Sequence, residues 1–253
     1  MRDKIKSEEY FKKSLSTNIA LLDRGFSEIE RGNIKQEQIL PFSLHIVNML
    51  VNKLKIKYSL SFFVNDLYED YYICIDLVSK HWSGNKKLMW TNKEVLNQYG
   101  LSDYDVMLWL LSIGYLLDVP NEKFMLLVDV LEKDNIKDEL FETIICAKIP
   151  KRKKVFEKKK VDFSVFKSIL KAINAEEETE SIKFLGKYLK TDWYKGHKGA
   201  GWHDSHKSKT DSYSGYWCFE AAAISSILGL DDTNLRSSQY YPSDLADYYR
   251  DNA

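Results

Sequence analysis

One stretch near the C-terminus constrains the fold more than any other. Residues 213–230 read Tyr-Ser-Gly-Tyr-Trp-Cys-Phe-Glu-Ala-Ala-Ala-Ile-Ser-Ser-Ile-Leu-Gly-Leu. Ser214 and Gly215 suit the start of a helix, and Gly229 suits the left-handed conformation that ends one. Between them, Tyr216, Phe219, Ala223 and Ile227 follow one helical row, and Trp217, Ala221, Ile224 and Leu228 follow another. A helix apolar around most of its circumference is buried around most of it. The spacing therefore predicts a central helix, with three alanines that let neighbours approach closely. Glu220 is its only charge. Burying a lone carboxylate costs several kcal/mol, so Glu220 must be paired, hydrogen-bonded or neutral. It is either a catalytic acid or base or a structural carboxylate held by nearby indole, hydroxyl or amide donors. No second catalytic group sits at a telling spacing, which favours the structural role.

After this stretch come Asp231 and Asp232, then Tyr240-Tyr241-Pro242-Ser243-Asp244-Leu245. Pro242 forbids a continuous helix, and Ser243 or Asp244 suits the cap of a short final one. The run Gly-Tyr-Trp-Cys-Phe-Glu-Ala-Ala-Ala, containing Gly215, Tyr216, Trp217, Phe219 and Glu220, with Leu-Gly-Leu-Asp-Asp and Tyr-Tyr-Pro-Ser-Asp-Leu after it, resembles the C-terminal domain of the PoNi family. The amphipathic helices of the N-terminal half are similar to that family's N-terminal domain. The resemblance implies a helical protein without catalytic activity or cofactor that binds and blocks a cognate PoNe-type DNase toxin in the cytoplasm.

The remaining chain predicts an all-α protein of two packed helical halves in a bundle-like array, with few or no strands. Gly is 11 and Pro 4 in 253 residues, sparse for a chain rich in β-turns. Helical spacing or caps mark residues 7–31, 41–58, 62–82 and 121–132, a short helix after the capping box Thr91-Asn92-Lys93-Glu94, another opened by Ser102 or Asp103, and 137–148. Residues 163–173 and 176–189 read as two more. In the first helix Tyr10, Leu15, Ile19, Leu22, Phe26 and Ile29 form the expected core row. The division falls at a basic stretch: 1–148, a linker at 149–162, and 163–253.

Residues 149–160 hold seven basic groups and one acidic, a local +6 in a chain of formal net charge 0, so the remainder carries −6. A nucleic-acid arm predicts such a run, but without interleaved aromatic platforms or a recognition helix it reads as a solvated linker. The three cysteines, Cys74, Cys146 and Cys218, are far apart and form no Cys-x-x-Cys pair, as expected of reduced thiols in the cytoplasm. Residues 1–10 lack a hydrophobic signal region, and no apolar run reaches the ~20 residues of a membrane span.

Two acidic groups are the candidate contacts for a basic partner. Asp66, Glu69 and Asp70 recur at helical steps and share a predicted face. Asp231, Asp232, Asp244 and Asp247 cluster after the central helix. The competing site is a loop at 191–212, which holds three of the five histidines. His203 and His206, with Asp211 and Glu220, would serve a metal-dependent hydrolase. His-x-x-His is a poor spacing for two ligands on one helical turn, and no cysteine lies nearby. A homo-oligomer is compatible with the sequence.

Overall fold

Ser7 begins the first helix as its side chain predicts, accepting a hydrogen bond from the Tyr10 amide. Helix α1 spans Glu8–Glu30 and ends at Gly32, whose φ of 67° only glycine adopts without strain. The computed structural model of the chain describes residues 1–90, 95–156 and 163–252. Within them α2 is Ile39–Ser59 and α3 is Tyr68–His81, preceded by a 3₁₀ turn at Val64–Leu67. Strands β1, Lys87–Trp90, and β2, Val95–Gln98, follow, and then α4, Leu101–Leu116, α5, Asn121–Lys133, and α6, Glu139–Lys148. The C-terminal part holds α7, Lys167–Ile173, α8, Glu178–Lys187, a π turn at Tyr188–Asp192, and α9, Trp193–Gly196. It closes with α10, Phe219–Ile227, and α11, Ser243–Asn252. The protein is mostly helical, with one two-stranded sheet among the described residues. No described helix is long and apolar enough to cross a membrane.

Three expectations need correction. The short helix expected after residue 94 is strand β2, paired antiparallel with β1 in the register Lys87↔Gln98 to Trp90↔Val95. Tertiary clamps override local preference there. The Gln98 amide donates to Asp138, the Tyr99 hydroxyl donates to Asp134, and Asp134 also accepts the Gly84 amide. The capping box at 91–94 lies outside the described residues, as do 157–162 of the basic stretch. The second correction concerns α1. Leu22 is buried, and Tyr10, Leu15, Phe26 and Ile29 pack half-buried against the core as expected, but Ile19 is 37% exposed and the fully buried face also takes in Phe11, Ser14 and Gly25. A β-carbon on Gly25 would lie 2.3 Å from Ile46 Cδ1, so glycine lets α1 and α2 touch.

The third correction concerns the stretch at 213–230. Its helix starts at Phe219, not at Ser214 or Gly215. Residues 213–218 form an extended strap instead. The helix ends where expected, at Gly229 with φ 64°. Helix α4 shares the centre with it and is buried at every position from Tyr104 to Leu116. Its buried side chains, those of α10 and those of α2 belong to one continuous hydrophobic core that draws on residues from both sides of the basic stretch.

The strap ties chain ends to middle. The Tyr213 amide donates to the Tyr10 hydroxyl, and the Tyr213 hydroxyl donates to Asp3 at 2.5 Å. Ser214 donates to Asn52, and Trp217 Nε1 donates to Ser59 Oγ at 2.9 Å. Gly215 makes this approach possible. Its φ is 106°, and a β-carbon there would lie 2.3 Å from Ser59 Oγ and 2.5 Å from Trp217 Nε1. The expected cost of Gly215→Ala is about 2–3 kcal/mol in urea unfolding, from backbone strain and displaced indole together. Gly199→Ala, which meets no neighbour within 4 Å, should change stability by no more than about 0.5 kcal/mol. Equal effects at the two sites would refute the close-approach argument.

Candidate partner-binding surface

The turn between α2 and α3 is where sequence-predicted acids and exposed aromatics meet. Ser61 takes φ 63°, an uncommon conformation for a residue with a side chain, and closes the end of α2. Phe62 follows at 36% exposure and Phe63 at 81%. An aromatic ring that exposed is worth asking about, because most large apolar side chains find cover. The turn is held firmly. Arg2 donates from Nη1 to the carbonyls of Tyr58 and Phe62 and from Nε to Asp244 at 2.5 Å, with its guanidinium 4.5 Å from the Tyr58 ring. Asp66 accepts the Phe63 amide and so caps the 3₁₀ turn.

Asp66, Glu69 and Asp70 do not share one face. Asp66 and Glu69 are exposed, but Asp70 is buried and receives Lys53 at 2.7 Å and Lys57 at 2.5 Å. Asp66 lies in the 3₁₀ turn, which breaks the helical phase linking it to the other two. Asp70 is thus unable to touch a partner from its place. Lys57 in turn donates to the Asp66 carbonyl and lies 5.8 Å from the Phe62 ring, so Asp70 positions the turn from below.

The second acidic group also divides. Asp232 is buried and accepts from Arg236, Arg250 and Tyr241. Burial pushes its carboxyl up, but these donors outweigh that and hold it below the usual range. Asp247 is half-buried and paired with Arg236, whereas Asp231 and Asp244 are exposed. The structure brings α11 against the α2–α3 turn, through Tyr248 to Asn65 at 2.7 Å and Asp244 to Arg2. Asp66, Glu69 and Asp244 therefore gather around Phe62 and Phe63, drawn from both predicted groups.

The histidine loop does not assemble a metal centre. His203 stacks on Tyr194, and His206 Nδ1 lies 2.8 Å from the Tyr216 hydroxyl. Asp211 pairs with Lys13 on α1. Glu220 is buried elsewhere, with one oxygen accepting from Tyr188 at 2.8 Å and from the Cys218 thiol. Its other oxygen has no hydrogen-bond partner, and burial raises its pKa. These four residues are held apart by their separate partners. Among the described residues no group of three or more His, Cys, Asp or Glu side chains is arranged to hold a metal ion. Cys74, Cys146 and Cys218 are free, the first and last buried and Cys146 half-buried.

Sequence spacing missed a buried ionic cluster beneath that loop. His197 is 1% exposed, with Nδ1 2.6 Å from the Trp193 carbonyl and Nε2 3.0 Å from Asp105. An acceptor faces each ring nitrogen, an arrangement that favours the doubly protonated ring. Burial pulls its pKa down, but the Asp105 hydrogen bond and charge and the Trp193 carbonyl outweigh burial, so the net shift is upward. Lys55 is also buried, with its ammonium 4.5 Å from the Trp109 ring and 5.7 Å from the Trp202 ring. Burial pushes it down to about 8, with Asp105 and Glu220 opposing. In the sequence Lys55 is one of three lysines, with Lys53 and Lys57, that suit a helix C-terminus through the helix dipole, and nothing local marks it as buried.

These shifts make opposite contributions to stability. His197 stabilises the fold fully below its unfolded value of about 6.5, and that support is lost as pH rises through the raised folded value. Lys55 holds fewer protons folded than unfolded between pH about 8 and its ordinary 10.5, so stability gains there as pH rises. The expected result for Lys55→Met is a loss of that alkaline gain and a rise of about 1 kcal/mol at pH 7 in urea titrations. For His197→Gln the neutral-pH loss with rising pH should disappear. Unchanged pH slopes in both variants would overturn the ionic assignment.

Comparison with known proteins follows from this geometry. The family model for the N-terminal part of PoNe immunity proteins (PoNi) matches residues 2–129, and that for the C-terminal part matches residues 136–245. Protein PA2201 from Pseudomonas aeruginosa, a crystal structure, is similar with a TM-score of 0.67 and 19% identity, over 99% of this chain and 90% of that one. At that identity the likeness is one of fold. No curated protein matches the chain. The two family matches follow in order without overlap and span nearly the whole sequence, with the Gly215–Glu220 motif and Pro242 inside the second. The chain belongs to the PoNi family of PoNe immunity proteins.

Proposed function

We propose that this chain neutralises a cognate PoNe-type DNase toxin by direct protein–protein contact in the cytoplasm and performs no catalysis. The observation that carries the reading is the match of both PoNi regions, in order, to one chain. A nuclease holds DNA phosphates on basic groups. An inhibitor that offers carboxylates where phosphates would lie gains speed of capture and selectivity. Asp66, Glu69 and Asp244 are the exposed acids around the α2–α3 turn; Asp231 is exposed as well, and Asp247 would contact the toxin only together with its partner Arg236. Asp70 and Asp232 act through the cations they hold, by fixing the turn and the α10–α11 connection.

Co-expression with the PoNe-type nuclease encoded beside this gene tests the reading. Restored bacterial growth together with a stoichiometric complex on co-purification is the expected result. Neither rescue nor complex with that neighbour would sink it. In a complex, the triple change Asp66→Asn, Glu69→Gln, Asp244→Asn should slow association by roughly tenfold at low salt and weaken its salt dependence.

A further inference from the structure

Helix α1 carries a second apolar row outside its fully buried face, with Leu15 half-buried at the edge of the core and Ile19 exposed. Leu15 and Ile19 lie on it, away from the buried face of Phe11, Ser14, Leu22 and Gly25. Opposite them stand Leu60 and Phe62 of the α2–α3 turn. Together with Glu8, Lys12 and Ser16 these side chains line an open groove of about 450 Å³. Phe63, 81% exposed, stands next to it in the chain.

The groove is pre-formed. Arg2 fixes the Phe62 carbonyl, Asp66 fixes the Phe63 amide, and the Asp70–Lys57 pair sits under the Phe62 ring. Side chains already held in place lose little entropy when a partner arrives. The surrounding charge selects the occupant. Glu8 and Asp244 are paired with Lys12 and Arg2, and Lys53 and Lys57 are held on buried Asp70, which leaves Asp66 and Glu69 as the exposed carboxylates here with no ion pair among the described residues. A second copy of this chain would set acid against acid across the contact, which is unfavourable. A basic protein surface would not.

We propose that the groove between α1 and the α2–α3 turn seats an apolar side chain of the toxin that is flanked by lysine or arginine, with Phe63 packing beside it. This inference rests on the immunity reading above and adds its energetic centre: the acids steer, and the groove with Phe63 sets the lifetime of the complex.

The test titrates the full chain with the neighbouring PoNe-type toxin carrying a disabling active-site substitution. Phe63→Ala and Ile19→Asp should each weaken binding by roughly 10- to 100-fold, chiefly through faster dissociation. Leu88→Asp, on the 71% exposed Leu88 of β1, should bind as the wild type does. Phe63 is too exposed for its truncation to unfold the chain, so an unchanged melting temperature for that variant keeps the result interpretable. Wild-type affinity in both groove variants would overturn the groove while leaving the immunity reading intact. Failure of the wild type to bind would overturn that reading and the groove with it. Sedimentation covers the remaining occupant: a wild-type dimer that Ile19→Asp dissociates would assign the groove to self-association and overturn the proposal.

Discussion

The contact of Gly215 with Ser59 lets the C-terminal part of the chain sit on the N-terminal helices. Ser59 ends α2, and its hydroxyl both accepts from the Trp217 indole and donates to the Ser214 carbonyl. The positive φ of Gly215 sends the strap past that hydroxyl and delivers Trp217 edge-on to Tyr58, at 4.8 Å and 90° between ring planes. The Cys218 amide then bonds to the Tyr240 carbonyl, which fixes the approach to α11. Helix α10 can start only after this crossing. Its position against α4 is therefore a consequence of the strap, and the short helix does not have to be stable alone.

The same crossing explains why buried charge is tolerated. Asp105 on α4, His197 after α9 and Lys55 on α2 come from three separate stretches of chain, and Trp109 and Trp202 fill the space around them. Each charge alone would be costly to bury. Asp105 accepts from His197 and from the Trp202 indole, which distributes its charge over two donors. Lys55 relies on ring faces and on the nearby carboxylates. Such a network demands one arrangement of α2, α4 and the 193–202 segment, because any slip leaves a charge without its partner.

What the sequence showed follows from how locally each feature is encoded. The Ser7 start of α1, the Gly229 terminus and the Pro242 break were legible because a side chain or a φ constraint acts within four residues. The strap was not, because Tyr213 to Cys218 keeps helical apolar spacing while its partners Tyr10, Asn52 and Ser59 lie more than 150 residues away. The inward face of α1 was hidden for a different reason. The close approach to α2 is made at Gly25, and Ser14 donates to the Asp211 carbonyl; neither carries a hydropathy signal, whereas Ile19 fits the apolar row and is exposed. Among the candidate acids, spacing revealed where carboxylates recur but not which would find cations. Lys53 and Lys57 claimed Asp70, and Arg236 and Arg250 claimed Asp232.

Those buried pairs connect fold to function. Asp232 holds Arg236 and Arg250 and accepts from Tyr241, and so sets the path from α10 into α11. Helix α11 presents Asp244 to Arg2, whose other donors hold the carbonyls of Tyr58 and Phe62. Tyr248 reaches Asn65 on the far side of the same turn. The C-terminal helix thus braces the turn that carries Phe62 and Phe63, although about 180 residues separate them in sequence. This turn and its supports are assembled from both ends of the chain and exist only in the completed fold. Arg2 and Asp66 fix the backbone of the turn at the Phe62 carbonyl and the Phe63 amide, so the points from which both rings project are set by the fold. The candidate acids thus divide by position, with Asp70 and Asp232 buried on cations that fix the scaffold and Asp66, Glu69, Asp231 and Asp244 exposed.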